Sequence, residues 1–228
     1  MLSQNALNPR AAAQIIDKFL EQAVETIEKE VLDIDEELVR KDILAAELYG
    51  YLKVPKILRL IQSGKTGSNM GRTVEENKRD IAEFIIENME SDILYLLGPG
   101  TTVKTITDNL NLHKTLLGID AISNKKLIGQ DLNERSILEL LRNYSNVQII
   151  VSPIGGQGFI FGRGNKQFTP EILKKIGKKN IKIIATEEKL RDLNCLRIDT
   201  GDTEVDNTFI GFGKVIIGYK EELVLPIE

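Results

Sequence analysis

Residues 92–104 read DILYLLGPGTTVK, and the reading of this stretch decides the fold. Ile93 to Leu97 form a continuous apolar run of the length that a buried parallel strand needs. Gly98-Pro99-Gly100 punctuates the run, and Thr101-Thr102 opens a segment whose Val103, Ile106 and Leu110 recur at helical spacing. A glycine turn between a buried strand and a helix start is a way to hold a phosphate. Its backbone N–H groups can approach the anion, the helix start adds unpaired donors and a positive dipole end, and hydroxyls add further donors. Gly98, Gly100, Thr101, Thr102 and Lys104 are therefore candidate phosphate contacts. The alternative is a tight turn with Thr as helix cap, since the string is neither the G-x-G-x-x-G fingerprint nor a P-loop.

Working outward, the chain alternates strand and helix patterns. Strands are expected at 115–122, 147–152, 181–185 and 196–199, with helices at 133–144 and 169–176 between them. Two closing strands, 214–219 and 223–227, are joined by a short turn around Lys220-Glu221. This is the pattern of an α/β fold, a mainly parallel sheet with flanking helices and a C-terminal antiparallel hairpin, in which ligands gather at the carboxyl ends of the strands. Upstream, Thr73-x-x-Glu76 is a capping box for a helix reaching Asn88. Asn8-Pro9 starts a helix with Ala12, Ile15, Ile16, Phe19, Leu20 and Ala23 on one face. Residues 30–35 alternate as a half-buried strand, 36–48 can be helical, and 49–55 read as a short strand closed by proline. Gln62 to Arg72 is polar and glycine-rich, a connector or a mobile loop carrying Lys65 and Arg72. The expected division is 1–72, an N-terminal α/β segment ending in this polar Gly/Ser loop, and 73–228, an α/β domain with Gly-rich ligand loops.

Composition narrows the function classes. At 228 residues, 42% hydrophobic and 28% charged, the chain has the make-up of an ordinary globular protein with length enough for a core. A net charge of −4, with five Tyr, seven Phe and no Trp, argues against a dedicated nucleic-acid binder. No apolar run approaches a membrane span of about 20 residues, and no signal peptide is visible, so a cytoplasmic location without membrane attachment is expected. One Cys and one His make neither a disulfide nor a zinc cluster, so no metal ligated by the protein itself is expected. A carboxylate can still hold Mg²⁺ through a bound nucleotide.

Two further stretches carry candidate chemistry. Ser152 to Asn165, SPIGGQGFIFGRGN, holds five glycines between positions 155 and 164. Each costs backbone entropy, which points to positive φ or a close backbone approach to a ligand. Gly155, Gly156, Gln157, Gly158, Gly162, Arg163, Gly164 and Asn165 are candidate nucleotide contacts, with Arg163 placed to fork onto a phosphate. The alternative is a long excursion whose Phe159 and Phe161 plug the core. In Asp199-Thr200-Gly201-Asp202, the acids are spaced to meet a ribose hydroxyl or a hydrated Mg²⁺ and Thr200 and Gly201 are candidate nucleotide contacts, or else the turn satisfies itself. Within this chain, a reacting carboxylate can come only from Asp120, Asp199 or Asp202. His113 and Asn133-Glu134 read as helix-end residues, and Cys195 as a core residue.

LGPGTTVK (97–104), TLLGIDAI (115–122), SPIGGQGFIFGRGN (152–165) and LRIDTGD (196–202), in this order and spacing, resemble the carboxyl-terminal half of the archaeal-type ATP-NAD kinases, relatives of the acetoin-catabolism X proteins. NPRAAAQ, EVLDIDEE and LYGYLKVP extend the resemblance over nearly the whole chain. It implies phosphorylation of the 2′-hydroxyl of the adenosine ribose of NAD, with ATP or polyphosphate as donor. The Gly-Gly-Asp-Gly-Thr signature of the family's amino-terminal domain does not occur in this sequence. The chain is thus expected to be the C-terminal part alone: a shortened member, one product of a split gene, or a fragment. Its expected partners are a nucleotide or other phosphorylated small molecule, and either further copies of itself or a separate chain bearing that signature. Two other classes stay open: an isomerase-like or regulatory module binding sugar phosphates, and a non-catalytic partner whose site another polypeptide completes.

Overall fold

The computed structural model describes residues 9–21, 24–34, 46–55, 73–191 and 193–228. The chain divides into two compact units, Met1–Thr66 and Gly67–Glu228. The first contains helix α1 (Pro9–Leu20) and an antiparallel ribbon of β1 (Thr26–Ile34) and β2 (Ala46–Pro55), with a bulge at Val31/Leu32. Proline opens α1 where its missing N–H costs nothing. Ala12 and Ile15 on the apolar stripe are half-buried, whereas Ile16, Phe19 and Leu20 are exposed. Ala46 to Leu48, expected at the end of a helix, lie instead in β2. There they pair with Leu32 to Ile34, and the pairing overrides helix propensity. The rest of that expected helix, Ala23, and the polar loop 62–72 lie outside the described residues.

The second unit is built on a seven-stranded mixed sheet in the order β11-β10-β8-β6-β3-β4-β5. Its four central strands are parallel: β3 (Leu94–Leu97), β6 (Val147–Val151), β8 (Ile181–Ile184) and β10 (Gly211–Gly218). The α/β class follows the strand–helix alternation, but the parallel arrangement is confined to these four. β4 (Asp120–Ser123) lies antiparallel to β3, β5 (Lys126–Gly129) antiparallel to β4, and β11 (Glu221–Ile227) antiparallel to β10. The strand expected over 115–122 thus begins only at Asp120 and runs the other way. The chain returns from helix α3 (Thr101–Asn109) all the way to the carboxyl end of β3 before β4 starts, as the Leu97–Asp120 pairing and the Gly100 N–H to Leu116 carbonyl bond (2.8 Å) require. β5 was not foreseen; Asn124 and Lys125, both at positive φ, turn the chain into it.

Side-chain alternation sends the two halves of each central strand to different cores. Tyr95, Leu97, Ile150, Ile184 and Ile216 meet Ile81 and Ile85 of α2 (Val74–Glu87) and Val103 and Ile106 of α3 on one face. Leu94, Leu96, Ile149, Val151, Ile183 and Val215 meet Ile137 of α4 (Glu134–Asn143), Ile172 of α5 (Pro170–Ile176) and Phe209 of α7 (Thr203–Phe209) on the other. α2 starts in the expected capping box: Thr73 Oγ1 accepts from Glu76 N, and Glu76 Oε2 accepts from Thr73 N at 2.8 Å. The strand expected at 196–199 is a short β9 (Arg197–Ile198) outside the main sheet. It pairs in parallel with β7 (Phe159–Phe161), within the stretch read as a ligand loop. Phe159, Ile160 and Phe161 are all buried, so hydrophobic burial holds this excursion against the sheet.

Candidate functional site

The carboxyl ends of β3 and β6 are adjacent: Leu97 pairs with Ile150, and Gly98 N–H donates to the Ile150 carbonyl at 2.9 Å. From these neighbouring ends the chain leaves in opposite directions. β3 leads through Gly98-Pro99-Gly100 into α3 on one face, while β6 leads through Ser152-Pro153 into β7 and α5 on the other. Open α/β sheets bind ligands in the crevice at such a divergence, at the carboxyl edge. Gly98 packs tightly here: a Cβ would lie 3.0 Å from Val151 Cγ1 and 3.3 Å from the Ile150 carbonyl oxygen. Gly100 has φ +108 with nothing within 4 Å of a Cβ, and it precedes α3 with no side chain capping the helix. Thr101 is exposed and Thr102 buried. Lys104 directs its ammonium along the helix to Asp108 Oδ1 at 2.7 Å.

A loop of residues 113–119 closes one side of this turn. The fully buried Lys114 donates its ammonium to the carbonyls of Thr115 (2.8 Å) and Gly118 (3.0 Å). Asp120, also fully buried, takes Thr115 N–H on Oδ2 (2.7 Å), and Thr115 Oγ1 and Asp131 N–H on Oδ1 (both 2.8 Å). With three hydrogen bonds on its two oxygens, the buried Asp120 organises this loop. Sequence reasoning had no signal for Lys114, since a lysine is almost never fully buried.

The glycines of 155–164 divide by cause. A Cβ on Gly162 (φ +91) would lie 1.7 Å from the Asp199 carbonyl oxygen, one on Gly158 (φ +77) 2.6 Å from that of Cys195, and one on Gly164 (φ +75) 3.0 Å from Ile154. These three are glycines because the chain packs on itself. Gly155 and Gly156 are exposed, as is Gly164. Gln157 is buried and accepts from Arg163 at 2.9 Å, and the Arg163 guanidinium lies 4.5 Å from the centre of the Phe159 ring. Arg163 is therefore held inside its own loop. Asn165 is buried, donates to the Ile160 carbonyl at 2.8 Å, and leaves Oδ1 unpaired.

The β7–β9 pairing joins two stretches that the sequence left apart. Gly162-Arg163 and Asp199 meet at the ends of those strands, where Asp199 N–H donates to the Phe161 carbonyl at 3.3 Å. Asp199 is exposed. Thr200 gives both its N–H and its hydroxyl to Asp206 Oδ1 (3.1 and 2.6 Å), and Gly201 turns the chain at φ +84. Asp202 caps α7 by accepting from Glu204 N and Val205 N, and pairs with Lys174 at 3.1 Å. The Val205 N–H first and the Lys174 ammonium second hold its carboxyl below the usual carboxylate range. Asn133 caps α4 through Ser136 N, exposed His113 offers its carbonyl to Gln130, and Cys195 is buried, its thiol pushed up first by desolvation.

The family model for the ATP-NAD kinase C-terminal domain matches residues 90–227, which span this whole edge. The chain belongs to the ATP-NAD kinase family. Members of this family generally use ATP and NAD as substrates. No curated protein and no solved structure matches the chain. Among the described residues, no group of three or more His, Cys, Asp or Glu is placed to hold a metal, and no helix is long and apolar enough to cross a membrane. A concavity of about 300 Å³ lined by Glu134, Arg135, Leu138, Glu139 and Arg142 is an open dip along one surface of α4, and the strand-edge crevice has the better claim on chemistry.

Proposed function

We propose that this chain binds the phosphates of NAD and of its phosphate donor, ATP or polyphosphate, in the β3–β6 crevice, as part of an archaeal-type, cytoplasmic NAD kinase. One observation carries the reading: adjacent parallel strands send their connections to opposite faces, directly behind an uncapped glycine turn. Phosphoryl transfer needs positioning, neutralisation of phosphate charge and a carboxylate to orient the attacking hydroxyl. Thr101 and Thr102 at the uncapped start of α3 support the first, since the Gly98 and Gly100 N–H groups already donate to the Ile150 and Leu116 carbonyls. Any Mg²⁺ would arrive with the nucleotide. For the third, Asp120 already accepts three hydrogen bonds and Asp202 is a helix cap. The reacting carboxylate is assigned to a Gly-Gly-Asp-Gly-Thr segment outside residues 1–228, with which this chain, alone or as a homo-oligomer, completes the site; within the chain, the exposed Asp199 is the acid still open to the role. The engagement of Asp120 and Asp202 within the fold also favours a second reading, a nucleotide- or sugar-phosphate-binding module with no transferase activity.

The test is calorimetry of the purified chain with NAD, ATP and sugar phosphates, together with NADP formation from ATP or polyphosphate, with and without a Gly-Gly-Asp-Gly-Thr-bearing polypeptide. The expected result is binding of NAD or ATP by the chain alone and turnover only in the mixture. Turnover by the chain alone at ordinary kinase rates, on the order of 1–100 per second, places the carboxylate here after all. Sugar-phosphate binding without nucleotide binding favours the second reading, and no binding rejects both.

A further inference from the structure

We infer that Lys189 and Ser152 form a cation–hydroxyl pair that receives a diphosphate group, the chemistry shared by ATP and NAD, at the carboxyl edge of the sheet. The inference rests on the crevice reading above and deepens it by naming the residues that meet the charge. Ser152 is the first residue beyond β6 and is 2% exposed. Lys189 comes from the short helix α6 (Glu187–Arg191) that follows β8. This helix lies across the edge, held from both faces of the sheet. Its Glu187 N–H donates to Asn77 Oδ1 of α2 at 3.0 Å, and its Leu190 is buried in the core of the opposite face.

From there Lys189 Nζ donates to Ser152 Oγ at 3.1 Å. Continuing the Leu97–Ile150 register sets Pro99 beside Ser152. The pair therefore stands about one strand spacing, roughly 4.8 Å, from the glycine turn. Because Ser152 Oγ accepts from the ammonium, its own proton is directed at another acceptor. An ammonium is a compact point charge suited to an anhydride phosphate. Lys104, the lysine that the sequence pointed to, is committed to Asp108 at 2.7 Å. Lys189 lies 85 positions further along the chain than Lys104 (189 − 104).

The test is titration calorimetry of Lys189→Met, Lys189→Arg and Lys104→Met against ATP, NAD, inorganic triphosphate and adenosine. Lys189→Met is expected to weaken the phosphate-bearing probes about ten- to a hundredfold, as for a lost hydrogen bond to a charged group, and to leave adenosine unchanged. Lys189→Arg and Lys104→Met are expected to stay within about threefold of the wild type. Weakening of ATP and triphosphate alone assigns the pair to the donor; weakening of NAD alone assigns it to the acceptor. Unchanged affinity in Lys189→Met, or an equal loss in Lys104→Met, overturns the inference while the crevice reading stands. A wild type that binds none of the probes overturns both. Should Lys189→Met fold poorly, lysine acetylation footprinting of the wild-type chain decides. ATP or NAD must suppress labelling of Lys189 and spare Lys104, and equal labelling with and without nucleotide rejects the pair.

Discussion

Replacing Asp120 by Asn separates a loop-organising carboxylate from a reacting one. The wild-type side chain accepts three bonds of 2.7–2.8 Å at a fully buried position. Asn keeps the shape but offers a single oxygen. Its better orientation holds Thr115 Oγ1 and Asp131 N–H and turns the amide nitrogen against the Thr115 N–H. One buried donor is then stranded, at about 1–3 kcal/mol, and the two surviving bonds lose their charge assistance. The expected loss is about 3 kcal/mol, and at roughly 2–4 °C per kcal/mol for a chain of this size, Tm falls by about 6–12 °C. Thermal unfolding followed by circular dichroism reads this directly. A variant that melts like the wild type refutes the reasoning. If such a variant also lost NADP formation by on the order of 10²–10⁴-fold, the scale of a missing general base, Asp120 would be the reacting carboxylate.

Gly162 and Gly201 share positive φ but not surroundings. Gly162→Ala drives a Cβ into the Asp199 carbonyl and is expected to cost more than about 3 kcal/mol, whereas Gly201→Ala meets nothing within 4 Å and should cost only the backbone strain of about 1–2 kcal/mol. Equal denaturation midpoints would rule out chain packing as the reason for Gly162. Because the folded state lowers the Asp202 pKa, its contribution is present above the unfolded value of about 3.9 and is lost as pH falls through the folded one. The stability gap between wild type and Asp202→Asn should therefore close as pH drops below about 4. A gap that is independent of pH would show that the charge of Asp202 contributes nothing.

The sequence by itself determined the local elements and their order. The apolar run before Gly98 is a buried strand, Thr73-x-x-Glu76 is a capping box, and the two closing strands form a hairpin. These follow from burial, period and capping chemistry, which act within a few residues. Tertiary structure decided what depends on where the chain returns. The direction of β4 is invisible in an apolar string that reads the same both ways along the sheet. Only the return of 110–119 to the carboxyl edge makes it antiparallel and buries Lys114 and Asp120 around the loop. The glycines of 158–164 look alike in sequence whether they face a ligand or a neighbouring strand. The approach of Asp199, 37 residues away (199 − 162), shows that Gly162 faces a strand. Lys189 had no motif at all. Its ammonium reaches Ser152 only because β6 and β8 lie side by side and α6 crosses their ends, a juxtaposition that no local propensity encodes.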